Sequence, residues 1–244
     1  MKKIFTLTFF ILMLVTSVQA DNWCDTECAE ENREYALLSK EVYNDKRVVE
    51  EWRRIKDYKK SFWGLYSHGL HLSVYKHTIT DKIAIVIEGT DATDIEDLLT
   101  DVVQLTNSRR VPREYRYARD YVKDLIEDNE LYRDAVVTGH SLGGGIAQYV
   151  AWSFGMKAYA FNSAGLSDNT VEDAEEFFES YGDGDRRAIK HLISNNNRGQ
   201  RDIVSSYGTL LGTQKFIYVD KDNFLDLHAI KYLYQALINT LEEN

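Results

Sequence analysis

The residues with the clearest chemical potential are Gly139-His140-Ser141-Leu142-Gly143, a serine with glycines two places before and two places after it. They follow the β-branched run Ala135-Val136-Val137-Thr138 and precede an apolar run over residues 146–154. That context predicts a strand, a sharp turn and a helix, with the serine hydroxyl projecting from the turn. The glycines let neighbouring backbone pass without a Cβ clash. The following helix aims its free N–H groups and the positive end of its dipole at the serine. Ser141 is therefore the candidate nucleophile.

A serine hydroxyl is a poor nucleophile at neutral pH. It needs a base to take its proton, and the base needs an acid to fix its tautomer. On an elbow of this kind the chain order is serine, acid, histidine. Only His191 and His228 follow Ser141. His191 alternates with apolar residues inside an expected strand and reads as structural. His228 lies beyond the last strand, where a loop delivers it over the sheet edge, and is the candidate base. His140 neighbours the serine but must diverge from it, and reads as support for the elbow. Asp183, Asp185, Asp202, Asp220, Asp222 and Asp226 all satisfy the order. Asp202 is attractive because it follows the loop after the strand containing Ile189. Developing negative charge on the attacked carbonyl needs donors. The backbone N–H of Leu142 is one. Gly89-Thr90, at the end of a neighbouring strand, is placed to supply another from the threonine.

These side chains need a sheet to carry them. Residues 27–43 read as a helix, and residues 44–66 as a polar, charged and aromatic stretch without an assigned element. Residues 70–75 alternate like a strand. Residues 83–87 are apolar throughout, which marks a strand buried on both faces. Residues 91–103 carry aliphatics at helical spacing with acids between them. Residues 114–129 form an amphipathic helix, after a basic patch around Pro112. Beyond the elbow, strands are expected at 157–162, 188–193 and 216–219, and helices at 171–181 and 227–241. Strands alternating with helices imply right-handed crossovers and a largely parallel sheet covered on both sides.

The 244 residues suit one α/β domain, with apolar content of 44% that allows a sizeable core. Met1-Lys2-Lys3, an apolar run over residues 4–15 and Val18-Gln19-Ala20 read as a secretory signal peptide over residues 1–20. A single domain over 21–244 is expected to follow, exported to the periplasm or beyond. Cys24 and Cys28 are the only cysteines. In an oxidising compartment a local disulfide is plausible, and two cysteines without a nearby histidine do not make a zinc site. The formal net charge of −10 argues against nucleic acid as a partner.

The residues also resemble a family. Val136-Val137-Thr138-Gly139-His140-Ser141-Leu142-Gly143-Gly144 is similar to the elbow of the class-three lipases, the fungal triacylglycerol lipase-like group of α/β-hydrolases. Ile85-Val86-Ile87-Glu88-Gly89-Thr90 resembles that family's apolar strand ending in Arg-Gly-Thr/Ser. Asp97-Leu98-Leu99-Thr100-Asp101 resembles the Asp-Trp-Leu-x-Asp segment that follows. Ala160-Phe161-Asn162-Ser163-Ala164-Gly165 resembles the Phe-Asn-x-x-Gly of its bacterial branch. Arg201-Asp202-Ile203-Val204 and His228-Ala229-Ile230 resemble the acid and histidine segments.

The likeness runs over about residues 72–233 and implies an α/β-hydrolase fold, a mostly parallel central sheet with helices on both faces. It implies a triad of Ser141, Asp202 and His228, an oxyanion hole of Thr90 and Leu142, and no metal or cofactor. It implies a lipid or other acyl ester as substrate, with transient contact to a membrane surface or lipid aggregate. By the same analogy residues 91–103 form a lid or pocket wall. Glu88 replaces the family's usual arginine and Leu98 its tryptophan, and both bear on substrate preference. An exported enzyme meets membrane lipids first, which favours phospholipid. Two other readings share the site: a lipid-binding protein without turnover, for which a Glu88 charge opposing the oxyanion would be the cause, and an acyltransferase.

Overall fold

The computed structural model describes residues 22–60, 69–90, 95–185 and 188–243. The expected signal peptide and the first residues of the 91–103 segment lie outside them. Within the described residues one eight-stranded sheet runs in chain order. Strands β1 (Val48–Val49), β2 (Trp52–Lys60), β3 (Leu70–His77) and β4 (Ile83–Ile87) form an antiparallel meander. Strands β5 (Val136–His140), β6 (Ala158–Phe161), β7 (Ile189–Asn195) and β8 (Thr213–Tyr218) each pair in parallel with the strand before. The mostly parallel sheet of the sequence reading is present.

The helices are α1 (Thr26–Glu41), α2 (Ile95–Thr106), α3 (Arg113–Asp128), α4 (Leu142–Phe154), α5 (Asp168–Tyr181), α6 (Phe224–His228) and α7 (Ile230–Glu242). Strands β4 to β8 advance in one direction across the sheet. Right-handed crossovers then send their connecting helices to one face. On that face Ile85, Ile87 and Val137 pack under Tyr115, Val122 and Ile126 of α3 and Ile146, Val150 and Phe154 of α4. The opposite face receives no crossover. Helices α1 and α7 cover it, with Leu38, Leu233 and Leu237 over Ala84, Val86, Tyr159 and Phe161. Every residue of β4 from Ala84 to Ile87 is fully buried, because adjacent side chains enter the two cores in turn.

Two elements differ from the sequence reading. Residues 48–60, expected to lack an element, form β1 and all of β2. The β2 side chains alternate between half-covered and exposed, with only Trp52 fully buried. Long charged side chains lie on its covered face, so the strand has no apolar alternation to reveal it. The closing helix is split. Ala229 is extended (φ −65°, ψ 125°) between α6 and α7. In a continuous helix the His228 carbonyl would accept from residue 232. Here the Tyr232 N–H turns to Ala229 O at 3.1 Å, and the His228 carbonyl is released for other donors. Cys24 and Cys28 are joined as a disulfide just before and within the first turn of α1.

Candidate active site

Ser141 sits between β5 and α4 with φ 59° and ψ −126°. A non-glycine residue in this region is strained, and such strain persists only where surroundings hold it. Here the Ser141 N–H donates to Phe161 O at 3.1 Å, and its carbonyl accepts from Ala164 N at 3.0 Å and Gly145 N at 3.1 Å. The glycines of the motif make the turn sterically possible. A Cβ on Gly139 would lie 2.5 Å from the Gly143 carbonyl carbon, and one on Gly143 would lie 2.3 Å from Ile87 O. The Ser141 side chain is fully buried. As N1 of α4, Leu142 has a backbone N–H with no intrahelical acceptor.

Asp202 and His228 are brought together, and of the six candidate acids Asp202 is the one bonded to this histidine. The Nδ1–H of His228 donates to Asp202 Oδ1 at 2.7 Å, and both residues are buried. The other carboxylate oxygen accepts from Ser205 N at 2.9 Å and Ser205 Oγ at 2.7 Å. Both oxygens are thus satisfied, and the carboxylate fixes the histidine tautomer, with its lone pair on Nε2. Among the described residues, His228 Nε2 and Ser141 Oγ are buried and neither has a hydrogen-bond partner.

His228 is held from behind through its freed carbonyl, which accepts from His140 Nε2 at 2.8 Å and Asn162 Nδ2 at 2.9 Å. His140 is a supporting residue, as its side chain's divergence from Ser141 requires. Its Nδ1 accepts from the Tyr43 hydroxyl at 3.0 Å, and its ring lies 4.6 Å from that of His228. Burial, and then the neighbouring His228, push the His140 imidazole down to about 3, so it stays neutral. His191 is buried in β7 and donates Nε2–H to Leu211 O at 2.8 Å, apart from this group.

The sequence analysis quoted Asn162 within a family-like segment and Tyr43 within a helix, and gave neither a role in the site. Asn162 adopts φ 42° at the end of β6. Its side-chain Oδ1 accepts from Ser194 N at 2.8 Å, and its Nδ2 donates to Ser194 Oγ as well as to the His228 carbonyl. The available signal was an asparagine at the end of a strand, one of the few residue types besides glycine that tolerate a left-handed turn.

Thr90 lies where two cavities meet. One, of about 450 Å³, is also lined by Tyr43, His140, His228 and Ile230. The other, of about 330 Å³, is also lined by Leu142, Leu105, Ser108 and Pro112. The loop carrying Thr90 presses against the elbow, since a Cβ on Gly89 would fall 2.4 Å from His140 O and 2.6 Å from the Tyr43 hydroxyl. Glu88, just before, hydrogen-bonds to His71 Nδ1. Helix α2 is anchored through the buried Val102, which packs with Ala164 and Val204 two residues beyond Asp202.

The sequence model of a family described as phospholipase-like, with a Tle-like phospholipase domain, matches residues 34–206. An extracellular phospholipase A1 of Serratia liquefaciens is 31% identical over 145 residues, which is 56% of this chain and 43% of that protein. The match therefore spans less than half of the relative's length. A triacylglycerol lipase structure from Penicillium expansum superposes with a TM-score of 0.50 at 17% identity, covering 81% of this chain and 82% of the lipase. A fungal lipase in an inhibitor complex gives 0.50 at 15% identity, covering 79% and 80%. These two structures establish the α/β-hydrolase lipase fold.

Proposed function

The chain belongs to the phospholipase-like family with the Tle-like phospholipase domain, and on that premise we propose that it is an exported serine hydrolase of lipid carboxylic esters, acting on phospholipid. One observation carries the reading. The Asp202–His228 hydrogen bond leaves the His228 Nε2 lone pair unpartnered, its ring lies 4.6 Å from that of His140, and the next residue, Ser141, carries an unpartnered buried hydroxyl. A base without a donor and a donor without a base are the two halves of an activated nucleophile.

Ser141 Oγ attacks the ester carbonyl while His228 Nε2 takes its proton. The tetrahedral oxyanion accepts from the Leu142 N–H and from Thr90. When the intermediate collapses, the C–O bond to the alcohol breaks and His228 gives its proton to the departing oxygen. A water then attacks the acyl-enzyme, its proton passing to His228, and Ser141 regains a proton as the acid leaves. Asp202 orients the ring. No step requires a metal or cofactor. An extracellular phospholipase A1 among the relatives supports both the substrate class and an exported location. A single domain following the signal peptide fits the use of both α1 and α7 to cover one sheet face.

Incubation with a fluorophosphonate tests the reading. Covalent labelling should occur at Ser141 and vanish in Ser141→Ala, together with fatty acid release from phospholipid vesicles. An unlabelled serine, or turnover retained in Ser141→Ala, would sink it. A reading without turnover finds no support at Glu88, because that carboxylate is engaged by His71.

A further inference from the structure

We propose that His71 is a positioning residue for the oxyanion loop: bridged between Asp57 and Glu88, it fixes Glu88 and so holds Gly89 and Thr90 against the elbow. The inference rests on the reading of Thr90 as an oxyanion donor. His71 lies on β3, with 9% exposure. Its Nδ1 bonds to Glu88, and its Nε2 bonds to Asp57 Oδ1 at 2.9 Å. Ser73 Oγ also donates to Asp57 Oδ1, at 2.8 Å. The Glu88 N–H donates to His71 O at 3.1 Å, so main chain and side chain bind the same pair of residues. The next two residues are Gly89 and Thr90.

Two carboxylates on opposite ring nitrogens require two N–H donors. Neutral imidazole has one, and only imidazolium satisfies both. The surrounding charges agree. From β2, Asp57 faces the ring, and Lys59 stands opposite His71 in the strand register. Arg54 Nη1 lies 3.4 Å from Asp57 and 2.5 Å from Asp45, which Lys59 Nζ reaches at 3.5 Å. Glu88 faces the ring from the end of β4. Tyr75 of β3 and Tyr121 of α3 sense Asp57, and burial raises both phenols, so they stay neutral. With His71 protonated, the cations His71, Arg54 and Lys59 balance the anions Asp45, Asp57 and Glu88. Burial alone would push the imidazole down, but its hydrogen bonds to Glu88 and Asp57 outweigh that and raise it. Asp45, Asp57 and His71 offer ligand atoms within 4.8 Å of one another, but Arg54 already bridges the two carboxylates as their cation.

The mechanical consequence comes from the tight fit of Gly89. The resembled pattern has an arginine before this glycine. This chain inverts the charge and supplies the cation from the adjacent strand. Loss of the imidazolium leaves Glu88 facing a lone pair or an unpaired site, and the loop relaxes from the elbow.

The test is the pH dependence of kcat and KM for p-nitrophenyl butyrate in the mature wild-type chain and in Glu88→Gln, with the His71 ring ¹⁵N shifts followed in both. The wild-type ring should be doubly protonated at neutral pH, and kcat should fall as His71 deprotonates. Glu88→Gln should lose about tenfold or more in kcat with KM nearly unchanged, since the loss is one of positioning. Its His71 titration and the alkaline fall in kcat should both move to lower pH. A folded Glu88→Gln with wild-type kcat and pH profile would overturn the inference, as would a neutral His71 ring at pH 7. If Glu88→Gln does not fold, the wild-type comparison decides: an alkaline fall in kcat that does not track the His71 titration overturns it. Failure of the hydrolase reading is distinct, because then the wild-type chain neither turns over the ester nor labels at Ser141.

Discussion

His228 donates Nδ1–H to Asp202 across 2.7 Å while its own carbonyl is held by His140 and Asn162. The ring is fixed at both its far nitrogen and its backbone, so Nε2 is the only part left to act. Replacing Asp202 by asparagine keeps the shape but offers an N–H to Nδ1, which favours the wrong tautomer. Asp202→Asn should lose about 10⁴-fold in kcat, with KM little changed. Steady-state kinetics on a p-nitrophenyl ester checks this, and a loss below tenfold would remove Asp202 from the triad.

The strain at Ser141 has a stability signature. Its backbone at φ 59° and ψ −126° suits glycine. Ser141→Gly should therefore melt higher than Ser141→Ala, by up to about 1 kcal/mol after the extra chain entropy of glycine is subtracted. Both variants should be inactive. Equal unfolding free energies in denaturant titrations would show that the elbow stores no strain.

Gly89 is fitted against the elbow as closely as the motif glycines are. In Gly89→Ala the new methyl would meet His140 O and the Tyr43 hydroxyl inside van der Waals contact. The loop must retreat and take Thr90 with it. A fall of about 10²-fold or more in kcat is expected, the size of losing one oxyanion donor. An active variant with wild-type kcat would mean that Thr90 does not act on the oxyanion.

The buried histidines set opposite pH dependences. His140 is held down to about 3 and His191 to about 4, in each case mainly by burial. Below their unfolded pKa of about 6.5, the unfolded chain takes up protons that the folded chain refuses. Stability should thus decline as pH falls from about 6.5 toward 4. His71 has the opposite sign: its folded pKa is raised, so its contribution is complete below the unfolded value and fades as pH climbs through the folded one. Denaturant titrations across pH should show the acid limb shrink in His191→Gln and the alkaline limb shrink in His71→Gln. Limbs unchanged in these variants would refute the assignment.

The elbow, its strand and helix, and the Asp202 and His228 segments were readable because each carries a local pattern: glycine spacing, an apolar strand, order along the chain. The strand Trp52–Lys60 was not, because charged side chains cover its inner face. Without that strand the grouping of Asp57, His71 and Glu88 stays invisible. It depends on a register that shifts between Arg54 and Lys56, and no local pattern encodes such a bulge. The break at Ala229 was equally hidden, since alanine favours helix and the carbonyl contacts that interrupt it come from distant residues.

The sheet face without crossovers has a consequence for how the polypeptide matures. Ala84, Val86, Tyr159 and Phe161 find their cover only when α1 and α7, from opposite ends of the described chain, close over them together. Contacts of such long sequence separation form slowly. Until α7 has been made, α1 alone cannot seal these side chains, so this side of the sheet closes later than the side its own crossovers cover.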